Sequence, residues 1–193
     1  MVAIVLLLAL AGCGGSGEDE GTAGSAKAAP EASPEAPATG PQASDDAPAS
    51  DRAAITAAVN EYIGALDHHD AATICGLFAP GAVVIAELPR RRETCDGSMA
   101  ASIGTRPRGG APAWRSTKPI EFEAKQLGED RARVTATVTH HFSDRKHVSV
   151  EDDVIYLERI AGRWLLAKPS GTFYRAVGYP EPPLRSLSPP SGW

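Results

Sequence analysis

The chain has 193 residues, 42% of them hydrophobic and 22% charged, with a formal net charge of −5. That length suits one domain with tails and leaves no room for a multi-domain enzyme or a polytopic membrane protein. Residues 14–50 hold seven acids and one base, and residues 51–193 hold 18 bases and 17 acids. The acidity therefore belongs to one segment, and no strong positive field invites nucleic acid as a partner.

In chain order, Val2 to Leu10 is an unbroken apolar run followed by Ala11, Gly12 and Cys13. It is far shorter than the ~20 residues a spanning helix needs, and fits a signal-peptide hydrophobic region. Leu10-Ala11-Gly12-Cys13 resembles the lipobox of bacterial lipoproteins, although no Lys or Arg precedes the run. The resemblance implies cleavage of residues 1–12, acylation (palmitate among the chains) at Cys13, and residence as a lipid-anchored protein on the extracytoplasmic face of a cell membrane.

The segment 14–50 contains ten Ala, six Gly, five Pro and five Ser, and no Val, Ile, Leu, Phe, Tyr or Trp. Nothing in it is apolar enough to offset the entropy of ordering, so 13–50 reads as a lipidated cysteine and a disordered linker. Its ends average ~35 Å apart as a flexible coil. From Tyr179 onwards, five prolines mark residues 179–193 as an irregular tail whose Leu184 and Trp193 are expected to pack on the domain.

The folded domain is expected over 51–178. Ser50 or Asp51 can cap a helix whose Ile55, Val59, Tyr62, Ile63 and Leu66 recur at helical spacing. Asp67-His68-His69-Asp70 breaks it, and Asp70 is placed to cap a second helix with an apolar side of Ile74, Cys75, Leu77 and Phe78, ended by Pro80-Gly81. Ala82 to Leu88 fits either a strand or a helix edge. A short third helix is expected around Thr94 to Ile103, followed by a basic loop from Gly104 to Lys118. The period then changes to two. Ile120, Phe122 and Ala124 form one alternating set, and Val134, Ala136, Val138, His140 and Phe142 another. A turn at Ser143-Asp144-Arg145-Lys146 leads to a strand from His147 to Ile160. Ala161-Gly162 turns into a last strand, 163–168, expected to resume after Pro169-Ser170-Gly171. Helices first and antiparallel strands after specify an α+β fold, about three helices on one face of a curved sheet.

This order, with Leu77-Phe78-Ala79-Pro80 closing the Asp-led helix and Gly162-Arg163-Trp164 near the end of the meander, resembles the nuclear-transport-factor-2-like superfamily, including its SnoaL-like and ketosteroid-isomerase-like members. The resemblance covers roughly residues 52–175. It implies a cone-shaped (cystatin-like) roll, which in that superfamily serves enzymes, ligand-binding proteins and interaction modules alike, and which often self-associates across its sheet as a homodimer.

With Cys13 assigned to lipid, Cys75 and Cys95 form an even pair in an oxidising compartment, and a disulfide between them is expected. The spacing also resembles secreted members of the superfamily with a cysteine in each of these segments. Closing a loop of about 20 residues contributes ~3 kcal/mol in the chain-entropy account. A zinc pair lacks a second Cys-x-x-Cys or a nearby His.

Candidate chemistry centres on His140, in phase with the inward set, and on the acids Glu151, Asp152 and Asp153 of the next strand. If 142 pairs with 147, Glu151 and Asp153 share the inner face with His140; a slip by one presents Asp152 instead. A His–carboxylate pair in an apolar pocket can serve general acid–base catalysis, with Tyr156 or Tyr62 adding a hydroxyl donor. The competing reading is a satisfied structural pair. A carboxylate within hydrogen-bond reach of His140 in a deep cone favours an enzyme, whereas a cone plugged by Phe122, Phe142 or Trp164 favours a scaffold. His68 and His69 lack metal-ligand spacing, and no metal or cofactor is expected. Arg90 to Lys118 carries seven bases against Glu93 and Asp96, able to meet anionic headgroups, cell-wall polymer or an acidic partner.

These features favour a non-catalytic, lipid-anchored binding or interaction domain for a small apolar ligand or an envelope partner. The alternatives are a SnoaL-like or ketosteroid-isomerase-like lyase or isomerase acting on a small hydrophobic substrate through His140, Asp152 or Asp153 and Tyr156, and a structural envelope module.

Overall fold

A computed structural model describes residues 49–181 and 187–193. The signal and lipobox, Cys13, the linker up to residue 48, Leu184 and the side chain of Ile120 lie outside the described residues. The described elements run α1 (Ala49–Asp67), α2 (Ala71–Leu77), α3 (Val84–Glu87), α4 (Cys95–Ser102), β1 (Trp114–Gln126), β2 (Arg131–Phe142), β3 (Val148–Ile160), β4 (Arg163–Lys168) and α5 (Gly171–Ala176). The four strands form an antiparallel sheet in the order β1-β2-β3-β4. Helices pack on its concave face, giving the expected α+β roll.

The helical stripe of α1 holds as predicted: Ile55, Val59, Tyr62, Ile63 and Leu66 are all buried. Its start differs. The helix is already formed at Ala49, so neither Ser50 nor Asp51 caps it. Asp51 sits in the first turn, where the helix dipole favours a carboxylate, and accepts from Arg159 Nη1 at 3.2 Å. After α1, His69 takes a left-handed φ of 56°, and Asp70 then caps α2 by accepting from Thr73 N at 3.1 Å. The ambiguous run 82–88 resolves as the single turn α3, with Val84 and Leu88 buried. Thr94 caps α4 as the third predicted helix. Cys75 and Cys95 are disulfide-bonded, tying α2 to the start of α4.

In β2, residues 132, 134, 136, 138 and 140 are buried while their neighbours are not, the alternation the sequence predicts. The 142–147 register is the one adopted, since His140 pairs with Ser149 and Val138 with Glu151. Register shifts at Trp114/Ser116, Pro119/Glu121 and Tyr156/Leu157 bend the strands locally, as bulges do.

Two expectations are corrected. The basic loop ends before Trp114, because residues 114–118 already pair with β2 and Trp114 is buried in the core. The chain after Pro169-Ser170-Gly171 is a helix, α5, rather than a resumed strand. Ser170 Oγ accepts from Phe173 N at 3.2 Å, and Asp153 of β3 accepts from Gly171 N at 2.6 Å and Thr172 N at 3.1 Å. A buried carboxylate thus satisfies the orphan amides of that helix and makes it more favourable than a fifth strand. With α5 and α3, five helices are described instead of about three.

The tail packs as expected at its end. Trp193 meets Tyr156 edge-on at 5.6 Å and lies under the Arg131 guanidinium at 5.2 Å. No described helix is long and apolar enough to cross a membrane.

Candidate functional site

A cavity of about 260 Å³ opens where the ends of β1, β2 and β3 meet the α4–β1 loop and the segment after α5. Pro107, Ala111, Pro112, Trp114, Phe142, Tyr179 and Pro180 form its apolar walls, and His147, Ser149, Glu151 and Arg175 supply its polar atoms. Strand alternation explains the β3 members: Glu151 and Ser149 are on the inward face, one and two pleats from Asp153.

Arg175, on α5, donates from Nε to Glu151 Oε2 at 2.9 Å and from Nη2 to Oε1 at 2.7 Å, a bidentate pair. Its Nη1 donates to the Pro180 carbonyl at 2.7 Å. One side chain thus fixes both the inner acid and the chain that closes the cavity. His147 pairs with Asp144 in the preceding turn, and the backbone amide of His147 helps to hold the Asp144 carboxyl below its ordinary pKa. Ser149 Oγ is buried and has no hydrogen-bond partner among the described residues.

His140, 1% exposed, does not line this cavity but contacts two residues that do, Trp114 and Phe142. Trp114 Nε1 donates to its Nδ1 at 3.2 Å, and since an indole N–H can only donate, the neutral ring carries its proton on Nε2. Burial lowers the pKa of His140 to about 4, with Arg175 and His141 acting the same way and Glu151 opposing them. The ring is therefore neutral at pH 7.

Of the inner acids, Glu151 is held by Arg175, and Asp153 is spent on the start of α5. Burial raises the Asp153 pKa, opposed by hydrogen bonds from Thr172, Ser170 and Gly171. Among the described residues the hydrogen bond of His140 goes to Trp114, not to a carboxylate. Asp152 faces outward, is exposed, and accepts from Thr137 Oγ1 at 2.8 Å. Tyr156 is opposite Arg133 on the outer face, and its hydroxyl donates to the Leu187 carbonyl at 3.1 Å. Tyr62 is inside, bonded to Ser170 Oγ at 2.8 Å, and burial raises its pKa well above the ordinary value. The structure thus brings His140, Glu151 and Asp153 to one face but turns Asp152 and Tyr156 to the other. Phe142 lines the cavity instead of plugging it, as does Trp114, which bonds to His140.

Sequence reasoning missed Trp114, Arg175 and Tyr179 as cavity residues. Trp114 falls within the expected basic loop 104–118, whereas it opens β1. Arg175 meets Glu151 across 24 residues of chain, a pairing with no local signal. His68 and His69 are exposed and join no group of three metal-ligating side chains among the described residues; the group Cys75, Cys95 and Asp96 has its sulfurs in a disulfide.

No family model and no curated protein matches the chain. Among solved structures, it is similar to a cystatin-like protein of unknown function from Nostoc punctiforme PCC 73102, at 16% identity and a TM-score of 0.44 over 63% of this chain and 89% of that one. It is also similar to an NTF-2 like protein of unknown function from Shewanella oneidensis MR-1, at 15% identity and 0.41 over 61% and 95%. A ketosteroid isomerase-like protein from Erwinia carotovora atroseptica gives 19% identity and 0.37 over 60% and 90%. The neighbours in fold are thus cystatin-like, NTF-2 like and ketosteroid isomerase-like proteins. Two of these three are proteins of unknown function.

Proposed function

We propose that the chain is a lipid-anchored, extracytoplasmic binding domain that holds a small, largely apolar molecule in the cavity between Trp114, Phe142 and Tyr179. The observation that carries this reading is an aromatic-walled cavity of about 260 Å³ lined in part by Ser149, whose buried hydroxyl has no partner among the described residues. Buried polar groups rarely go unpaired, and a ligand carbonyl or hydroxyl supplies what this one lacks. The commitment of the nearby titratable groups supports binding over acid–base chemistry. The indole N–H of Trp114 occupies His140 Nδ1, Arg175 holds Glu151 on both oxygens, and α5 holds Asp153. The lipobox-like Leu10-Ala11-Gly12-Cys13 supports the anchor, and the Cys75–Cys95 disulfide fits an oxidising compartment.

Native mass spectrometry tests the reading. The full chain carrying Cys13→Ser, purified from a disulfide-forming host, should retain a small apolar molecule or gain one from a hydrophobic panel. A Phe142→Trp variant, with the cavity filled, should lose it. A wild-type chain that stays at its bare mass against the whole panel would sink the proposal.

A further inference from the structure

A second cavity, about 350 Å³, adjoins the first and shares Tyr179 and Pro180 with it. Its remaining lining is Pro89, Thr105, Gly178 and three arginines, Arg90, Arg106 and Arg108, with no Asp or Glu. None of these arginines has an acidic partner among the described residues, unlike Arg159 and Arg175, which each hold a carboxylate. Glu87, close by in the chain, accepts the Tyr174 hydroxyl at 3.1 Å and does not line the cavity.

The frame beneath the arginines is fixed. Arg90 N donates to the buried Ser102 Oγ at 3.2 Å, Thr105 N donates to the Ser102 carbonyl at 3.1 Å, and Thr105 Oγ1 donates to the Val177 carbonyl at 3.2 Å. Gly178, at φ 96°, lies so close to Thr105 that a Cβ would come within 2.5 Å of its hydroxyl. Three exposed arginines beside this frame, with no carboxylate partner among the described residues, make a positive patch suited to capture of a phosphate or carboxylate.

We infer that the two cavities form one bipartite site for an anionic amphiphile, its apolar body against Trp114 and Phe142 and its phosphate or carboxylate head on Arg90, Arg106 and Arg108. This rests on the binding reading above and adds the ligand class. Each cavity alone is small or near the lower limit for a ligand site of roughly 300–1,000 Å³, and the pair falls within that range. Tyr179 and Pro180 are the shared wall, held by the bond from Tyr179 Oη to the Glu87 carbonyl at 3.0 Å and by the Arg175 bond to Pro180.

The test titrates the full Cys13→Ser chain with octanol, octyl phosphate, inorganic phosphate and phosphatidylglycerol vesicles. Octyl phosphate should bind at least tenfold more tightly than octanol. The double variant Arg106→Glu/Arg108→Glu should lose that preference and leave octanol affinity unchanged, and Arg106→Ala/Arg108→Ala should lose most of it. Equal affinity for the two octyl probes, or a preference that survives charge reversal, overturns the inference and spares the binding reading. Binding of inorganic phosphate with neither octyl probe overturns the joined site and the apolar-ligand reading together, as does no binding of any probe. Binding to vesicles without binding of monomeric octyl phosphate overturns it in favour of simple attraction to an anionic surface.

Discussion

The polar groups of the roll fall into two regions with opposite character. In the interior, Tyr62, His140, Asp153 and Ser170 are closed into hydrogen bonds with one another, with Trp114 and with the amides of α5. At the rim, Glu151 and Arg175 are only partly covered, and Ser149 Oγ, Arg90, Arg106 and Arg108 have no side-chain partner among the described residues. These four interior groups are satisfied by the protein itself, although the buried hydroxyls of Thr117 and Thr172 and the indole N–H of Trp164 have no partner among the described residues. The exposed arginines of the rim can wait for a ligand because water covers the cost of leaving them open. Inward position on a strand therefore does not by itself make a residue part of a site; depth along the strand decides.

If that contrast is right, the interior should be costly to disturb and the rim cheap. Trp114→Ala should have the largest effect, losing ~3–5 kcal/mol in urea denaturation, as for large buried aromatics. The pH dependence should follow. His140 is neutral in the fold with a pKa near 4, against about 6.5 when unfolded. Between those values the unfolded chain binds the proton and the folded chain does not, so stability is full above about pH 6.5 and falls as pH drops towards 4. The loss amounts to ~3 kcal/mol. Denaturation midpoints at pH 7.5 and 4.5 should show it in the wild type, and His140→Phe should remove that component. Because the raised pKa of the buried Asp153 acts in the opposite direction, the difference between the two chains is the readout, and a His140→Phe variant with the same pH dependence as the wild type would contradict the buried, neutral histidine.

Asp153→Ala should cost ~2 kcal/mol, because it leaves two buried amides of α5 without an acceptor. Circular dichroism and hydrogen exchange at residues 171–176 would locate the loss. Glu151→Gln should cost less than ~1 kcal/mol in thermal denaturation, since its pair with Arg175 is partly screened by solvent. A cost at the rim equal to that of Asp153→Ala would erase the distinction between the two regions.

How far each element could be read depended on where its stabilising partner lies. The stripe of α1 and the alternation of β2 are periodic patterns in consecutive residues, so burial of Tyr62 and His140 could be anticipated from local spacing. Asp70 and Thr94 lie within three residues of the amides they cap. By contrast, α5 was missed because half of its capping comes from Asp153, 18 residues upstream on another strand. The local sign of that helix, Ser170 ahead of Phe173, Tyr174 and Val177, is only six residues long and follows a proline in a strand-like context. The candidate site was legible in part. The inward phase of His140 follows from local spacing, but the register that brings Glu151 and Asp153 rather than Asp152 to its face, and the partners of these groups, do not.

The amino-acid sequence by itself determined the burial periods of helices and strands, the confinement of acidic charge to residues 14–50 and the presence of two cysteines able to pair. Those are properties of composition and of neighbours along the chain. Only the tertiary structure decided that Trp114 would bond to His140, that Arg175 would hold Glu151, and that Asp153 would cap a helix rather than serve the histidine. It also decided that three arginines spread over 19 residues would line one cavity. Each of these depends on register, strand bending and the path of a loop, which are settled by packing the whole core at once and leave no mark in any short stretch of chain.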